Sequence, residues 1–485
     1  MGPCCRAVRR GATLERPGLA RHPHSDRMVT RPWRCVMAGG CSDWCGQMQG
    51  ADMIGTSLRN ADIDAVLNDV KEAYVTGAPR SLTRYVEATT VMPGGNTRTV
   101  LHYAPFPLAM VRGEGCRLWD ADGREYIDFL GEFTAGLYGH SHPVIRAAVD
   151  RALDDGISFG ASNLTEVRFA LAVCERFGLE RVRFTNSGTE ANLLAMSVAR
   201  IFTSRRKVLV FNGAYHGAVF GFAAGGSPIN VPFDYVVGHY NDIEQTRALI
   251  TDELALVILE PMIGSGGCIA ASADFVRMLR QETSRVGALL IFDEVMTSRL
   301  APGGLQSVLD VAPDLTTFGK YIGGGMSFGA FGGRADVMDL FDPRRADALP
   351  HAGTFNNNVL TMTAGLAGLT EIYTAEAAVE LNARGERLRD RLNALCQAAD
   401  APLQFTGIGS MLALHTMRGP VTSPELAAKA DPKLKELFFF DMLAHGIWLA
   451  RRGMLTVSLP IGDAECEALV AAVEEFLSVR RSLLQ

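Results

Sequence analysis

The sequence predicts an α/β protein. A large domain is built on a mostly parallel sheet flanked by helices, and the N- and C-terminal segments form a smaller α+β domain. Three observations carry this expectation. From about residue 165, short apolar strands alternate with helical stretches, the pattern of a parallel sheet covered on its faces. After residue 377 the pattern changes to charged helices and short strands. Four segments rich in glycine, hydroxyl or charged groups fall where predicted strands end, which is where open α/β sheets bind ligands.

Composition sets the outer limits. The chain has 485 residues, 48% hydrophobic and 21% charged, with 50 glycines. That is globular composition, long enough for two or three domains. Lys plus Arg is 47 against 53 for Asp plus Glu, a net charge of −6. A dedicated nucleic-acid binder would show a basic excess. The longest apolar runs, Leu254–Leu259 and Ala288–Phe292, are strand-length and far short of the roughly 18–20 residues of a membrane span. Neither a nucleic acid nor a membrane is expected as a partner. Cys116, Cys174, Cys268, Cys396 and Cys466 stand singly, as reduced thiols of a cytoplasmic protein do, and no metal site is expected.

Residues 1–55 differ from the rest. Eight arginines and five cysteines crowd them, with no apolar periodicity. They read as a poorly ordered extension upstream of a start near Met53, the alternative being an organelle transit peptide; no secretory core is visible. The spacing of Cys35, Cys41 and Cys45 fits no common zinc pattern. Residues 56–115 are expected to join the small domain, 116–377 to form the large domain, and 378–485 to complete the small one.

The elements follow in order. Asn60 is placed to cap a helix whose Ile63, Val66, Leu67 and Val70 share one face,. Cys116–Asp120 and Glu125–Phe129 flank Asp122-Gly123 as a hairpin,. A helix runs from Val144 to Leu153. Strands are predicted at Val182–Thr185, Lys207–Phe211, Tyr235–Val237, Leu254–Leu259, Ala288–Phe292 and Leu315–Phe318, with helices at Ala191–Phe202, Ile243–Ile250 and Ala273–Val286. A further helix starts at Val359. The last part holds helices at Ala383–Cys396, Leu434–His445 and Glu465–Leu477, and short strands near Leu403–Phe405 and Ser410–His415.

The four strand-end segments carry unlike chemistry. Ser187-Gly188-Thr189 opens a helix, where free amides and hydroxyls suit a phosphate; Ser187 and Glu190 equally form a capping box. Tyr215 stands between Gly213 and Gly217, placed to stack on a flat ring or simply to pack. Asp293 directly follows a buried strand. An acid there needs a partner, either a cationic heterocyclic nitrogen or a helix end that it caps. Lys320, in Phe318-Gly319-Lys320-Tyr321, sits in a setting that depresses an amine's pKa and readies it to attack a carbonyl; a snorkelling lysine is the plainer reading. Gly323-Gly324-Gly325 does not match the dinucleotide fingerprint,. A ligand that satisfies all four has a phosphate, a flat ring, a protonated ring nitrogen and an aldehyde. That describes pyridoxal phosphate.

With these residues in view, the sequence resembles the class III aminotransferases of pyridoxal-phosphate fold type I over roughly residues 56–480. The resemblance rests on Asn186-Ser187-Gly188-Thr189-Glu190-Ala191-Asn192, Tyr215-His216-Gly217, Glu260-Pro261, Asp293-Glu294-Val295, Lys320 and Gly353-Thr354-Phe355. Within the class it looks most similar to the β-phenylalanine aminotransferases, through Pro93 to Arg98, Phe129-Leu130-Gly131-Glu132, Lys320 to Gly333, Thr354 to Asn358 and Leu434 to Phe440.

The resemblance implies an enzyme that moves an amino group from an aromatic β-amino acid to 2-oxoglutarate or pyruvate. Lys320 would hold the cofactor as a Schiff base and shuttle the proton. Asp293 would bind the ring nitrogen, Val295 and Tyr215 the two ring faces, and Ser187, Gly188 and Thr189 the phosphate. Thr354 would reach the neighbouring subunit's phosphate, which implies a homodimer, and Glu260 would be a structural acid nearby. Arg98 would clamp the β-amino acid carboxylate. Arg452 would hold the α-carboxylate of the keto acid, with Arg451 as the other possible reader. Two departures stand out: Ile263 where many class III members carry a ring-hydroxyl-binding glutamine, and Val359 where a proline is usual. Glutamate-1-semialdehyde aminomutases, ω-amine transaminases and epimerases on the same scaffold are the alternatives. The segment Glu132-Phe133-Thr134-Ala135-Gly136 is unlike the aminomutases' Ser-Trp-Gly stretch.

Overall fold

The structure is a computed structural model that describes residues 62–484. The Arg- and Cys-rich extension and the Asn60 cap lie outside the described residues. The first described helix, Ile63–Gly77, is capped by the Asp62 carboxylate, which accepts from the Asp64 amide at 3.0 Å. Its apolar face of Ile63, Val66, Leu67 and Val70 enters the core shared with the helix Pro432–Ala444. Tyr74 meets Phe440 edge to face, with ring centroids 5.3 Å apart. The predicted hairpin is present as Arg117–Asp120 paired with Glu125–Asp128. Met110–Glu114 extends that sheet on one side and Ile447–Trp448 on the other. The two ends of the described chain are therefore joined through both a helix pair and a sheet.

The large sheet has seven strands, in the order Arg181–Thr185, Gly329–Gly333, Leu315–Gly319, Leu289–Asp293, Leu254–Leu259, Lys207–Phe211 and Asp234–Gly238. All neighbours are parallel except Gly329–Gly333, which runs antiparallel to both of its partners. Six of the seven match predicted strands to within one or two residues. The seventh was not predicted, because Gly-Ala-Phe-Gly-Gly has a composition that strands avoid. Its glycines are needed for close backbone approach. A Cβ at Gly329 would come within 2.1 Å of the Ser187 carbonyl oxygen, and one at Gly332 within 2.3 Å of that of Arg181.

Leu254–Leu259 is buried along its whole length, as expected for a central parallel strand covered on both faces. Val257 and Leu259 pack with Phe275 and Leu279 of the helix Ala273–Val286. Leu256 and Ile258 pack with Ala195, Met196 and Ala199 of the helix Gly188–Thr203. Full burial of each such branched side chain contributes about 1.5–3 kcal/mol.

The helix predicted from Val359 runs to Ala367 and widens into a π-type turn at Gly368–Ile372. There a Cβ at Gly368 would lie 2.6 Å from the Tyr138 hydroxyl. The helix predicted at Ala383–Cys396 spans Ala375–Ala398, starting where the Thr374 hydroxyl accepts from the Ala377 amide. Its early turns were missed because Ala375 to Val379 carry little periodicity. A three-stranded sheet, Gln404–Ile408, Met411–His415 and Met454–Thr456, and the helix Asp463–Val479 complete the C-terminal part. Among the described residues no helix is long and apolar enough to cross a membrane. Among the described residues, no group of three His, Cys, Asp or Glu is placed to hold a metal ion.

Candidate active site

Parallel neighbours end on the same edge of the sheet, so residues far apart in sequence meet there. Lys320 follows the strand Leu315–Gly319 and has φ 56°, a left-handed conformation that is strained for a side chain of this size. Its Nζ donates to the Phe133 carbonyl at 3.0 Å. Burial lowers its pKa to about 8, and the positive charges of Arg452 and Arg98 add to the shift while Glu132 and Asp293 oppose it.

Asp293 ends the neighbouring strand Leu289–Asp293 and is 4% exposed. Its Oδ1 accepts from the Val295 amide at 3.0 Å. Its Oδ2 accepts from Asn192 Nδ2 at 2.8 Å and lies 2.8 Å from His216 Nδ1. Asn192 is itself held by the Thr317 hydroxyl, which donates to Asn192 Oδ1 at 2.6 Å. Three partners on a carboxylate with about four acceptor positions leave one free. The other possibility read from sequence, Asp293 as a helix cap, does not occur. Asn192 and His216 were passed over as functional residues. The signal for His216 was its place beside Tyr215, but the contact of both with Asp293 depends on strand order.

Glu260 is buried next to this set, with its pKa raised to about 7, chiefly by desolvation. It accepts from the Tyr215 amide at 2.8 Å and the Gly264 amide at 3.0 Å. Tyr215 is held by its backbone while its side chain stays 49% exposed. The Ser187 hydroxyl does act as the helix cap, accepting from the Glu190 amide at 3.2 Å, but the Glu190 carboxylate turns to the Asn186 amide instead of closing the box. The first-turn amides of Gly188 and Thr189 have no intrahelical acceptor. Val295 packs against Gly188, where a Cβ would come within 2.9 Å of its methyl, and against Gly319. Thr354 is exposed; two residues on, Asn356 Oδ1 accepts from Asn186 at 3.0 Å.

Two arginines flank one ring. The guanidinium of Arg452 lies 5.1 Å from the Phe133 centroid and that of Arg98 lies 5.7 Å from it. Arg452 has no carboxylate partner among the described residues, its Nε is buried without an acceptor, and burial lowers its pKa. Arg98 is paired with Glu132 at 2.8 Å. Arg451 is paired with Glu436 at 3.2 Å and is half exposed.

The class III aminotransferase family profile matches residues 100–477. The chain is 53% identical to the β-phenylalanine transaminase of Variovorax paradoxus, over 88% of this chain and 99% of that protein.

The chain is a class III aminotransferase.

The crystal structure of the Variovorax paradoxus enzyme superposes with a TM-score of 0.86 over 87% of this chain and 99% of that one. An ω-transaminase from Sphaerobacter thermophilus is 36% identical with a TM-score of 0.78, covering 82% of this chain and 97% of that chain. A glutamate-1-semialdehyde 2,1-aminomutase of Sorangium cellulosum is 39% identical over 76% of this chain and 89% of that protein. The fold is that of the pyridoxal-phosphate enzymes of fold type I, and pyridoxal phosphate is the aminotransferase's cofactor. The residues present fit that group. A buried amine has a lowered pKa, a buried carboxylate has one acceptor position to spare, a helix start has free amides, and Gly188 leaves room where a Cβ would meet Val295.

Proposed function

We propose that this aminotransferase moves the amino group of an aromatic β-amino acid, such as β-phenylalanine, to 2-oxoglutarate or pyruvate. The observation that carries the proposal is the pair of unlike arginines on Phe133, beside Lys320. A transaminase takes two acids in turn into one site, and each needs its carboxylate held. In this reading Arg98 clamps the β-amino acid carboxylate. Arg452, half-buried and without an acid among the described residues, holds the keto acid's α-carboxylate; Arg451, committed to Glu436, does not. A cavity of about 540 Å3 beside Phe133 and Arg452 is lined by Tyr103, Leu108, Phe439 and Trp448 and supports an aromatic side chain. The identity with the Variovorax paradoxus enzyme over nearly its whole length supports the same substrate class.

Each side chain then has a defined task. Pyridoxal phosphate, when bound, supplies an electron-withdrawing ring next to the reacting carbon. Lys320 would hold it through its amine and, once free, would move a proton from the amine-bearing carbon to the cofactor carbon that had carried the aldehyde; a pKa of about 8 leaves that amine a usable base,. Asp293, held by the Val295 amide and Asn192 with His216 beside it, presents its carboxylate to the ring nitrogen. Val295 and Tyr215 pack on the two ring faces, and Glu260 fixes the Tyr215 backbone. Ser187, Gly188 and Thr189 hold the phosphate, joined by Thr354 from a second subunit. A homodimer is supported by an exposed apolar stripe of Leu164, Val167 and Leu171 with Ile157 and Phe159 nearby,. We further propose that residues 62–115 belong with 378–485 as a small domain around 116–377, and that the single unpaired thiols belong to a cytoplasmic enzyme,.

The test mixes purified, cofactor-loaded enzyme with (S)-β-phenylalanine without keto acid and follows the visible band of the lysine-bound cofactor. Loss of the band, restored by 2-oxoglutarate or pyruvate and absent in Lys320→Ala, is expected. No loss with β-phenylalanine, but loss with glutamate-1-semialdehyde or simple amines, would overturn the substrate. No band after cofactor is supplied would overturn the role of Lys320.

A further inference from the structure

The segment between the hairpin and the helix Pro143–Asp155 has an unusual backbone. Gly131, Glu132, Phe133 and Thr134 have φ of 53°, 47°, 54° and 83°. Three of these four are not glycine, and left-handed runs of this kind are strained. Six hydrogen bonds from five side chains hold the run in place. The Asp128 carboxylate accepts from the amides of Leu130 and Gly131, both at 2.9 Å. The Thr456 hydroxyl donates to the Leu130 carbonyl at 2.9 Å. Arg299, fully buried and without a carboxylate partner among the described residues, donates to the Thr134 carbonyl at 3.3 Å. Lys320 donates to the Phe133 carbonyl at 3.0 Å and Arg98 to the Glu132 carboxylate at 2.8 Å.

This turn sends two side chains toward the arginines. Phe133 lies under both guanidinium groups, whereas Glu132 reaches Arg98 alone. One clamp is thus covered by a carboxylate of the protein itself, and the other is not. We infer that Glu132 is an internal carboxylate latch on Arg98, which the carboxylate of the amino donor must displace. The inference rests on the assignment of Arg98 to the donor carboxylate. Both partners of the latch are about half exposed, Arg98 at 46% and Glu132 at 57%, so the pair is weak and opens readily. It is weak enough to yield to a donor whose aromatic ring is buried at the same time. The latch makes the two half-reactions unequal: a keto acid meets an open Arg452, and an amino donor meets a closed Arg98.

The experiment titrates the cofactor-loaded enzyme with 3-phenylpropanoate, which has the donor's carboxylate and ring but no amine, and measures Kd by calorimetry. Glu132→Gln is compared with the unaltered protein, and both are repeated in an Arg98→Gln background. An exposed pair predicts that Glu132→Gln tightens binding about 2- to 5-fold and that the effect vanishes when Arg98 is absent. The ratio of KM for (S)-β-phenylalanine to KM for pyruvate falls by a similar factor. Unchanged or weaker 3-phenylpropanoate binding in Glu132→Gln overturns the latch, as does an equal effect with and without Arg98. If (S)-β-phenylalanine is not turned over at all, the proposed substrate falls, while Arg98-dependent tightening still supports the latch.

Discussion

Replacement of Arg452 by methionine tests the electrostatics of the site most directly. In the folded protein Lys320 drops from 10.5 to about 8, a shift of 10.5 − 8, or about 2.5 units. At roughly 1.4 kcal/mol per unit, charging this amine costs about 3 kcal/mol more than in water. At pH 7.5 about a quarter of the free amine is neutral, against about one in a thousand for an ordinary lysine. Burial is the largest cause and Arg452 the next. Methionine keeps a long apolar stem on Phe133 but removes the charge, so the Lys320 pKa rises, by a fraction of a unit to about one unit. Glu132→Gln removes an opposing charge and moves it down. The assay is competitive acetylation of the cofactor-free protein across pH 6–11, with Lys320 quantified by peptide mass spectrometry. A Lys320 pKa at or above about 10 in the unaltered protein would refute the reasoning, and so would a downward shift in Arg452→Met. Stability follows the same sign. The folded state disfavours the protonated amine, so the cofactor-free protein gains stability as pH rises from about 8 toward 10.5, and Arg452→Met reduces that gain.

Three further outcomes are expected. Glu260 has its pKa raised from 4.5 to about 7, so its contribution is present below pH 4.5 and is lost as pH rises through 7. Glu260→Gln removes that slope from urea-denaturation stability measured at pH 5 and pH 8, leaving the similar slope of Glu294, also raised to about 7,. Gly329→Ala places a methyl 2.1 Å from the Ser187 carbonyl oxygen. It destabilises the fold by about 3 kcal/mol in denaturant titration and weakens cofactor retention on dialysis. Arg299→Met leaves the carbonyls of Thr134 and Val457 without their buried donor. It costs about 3 kcal/mol, and a differential scan shows a lower Tm for the cofactor-free protein.

The elements that could be read from sequence share a physical cause. Leu254–Leu259, Leu289–Asp293 and Leu315–Gly319 are short, mostly apolar runs that stop at or just before a polar residue or a glycine, because a buried parallel strand must be largely apolar and must stop where the chain reaches solvent or ligand. The same rule exposed Asp293 and Lys320. The strand Gly329–Gly333 escaped notice because its glycines answer to atoms of Ser187 and Arg181 that are remote in sequence. Beyond Gly131, the left-handed run of residues 131–134 carries no local mark, since Glu132, Phe133 and Thr134 do not favour that conformation and are held in it by contacts from Asp128, Thr456 and Arg299.

By itself, then, the sequence determined the α/β alternation, the family and the chemical kinds of side chain at the strand ends, all of which follow from local periodicity and short motifs. Only the tertiary structure decided which of those side chains meet. It joined Asn192 and His216 to Asp293 across about a hundred residues and less, because hydrogen bonds between strands ignore sequence distance. It also set apart two arginines, Arg452 and its alternative Arg451, between which the sequence left the choice open. Arg451 finds Glu436 at the surface, and Arg452 turns inward over Phe133 without an acid. The two arginines sit in the turn between Ile447–Trp448 and Met454–Thr456 and point differently, so a difference of one position decides between a surface ion pair and a half-buried cation with no acid beside it among the described residues,.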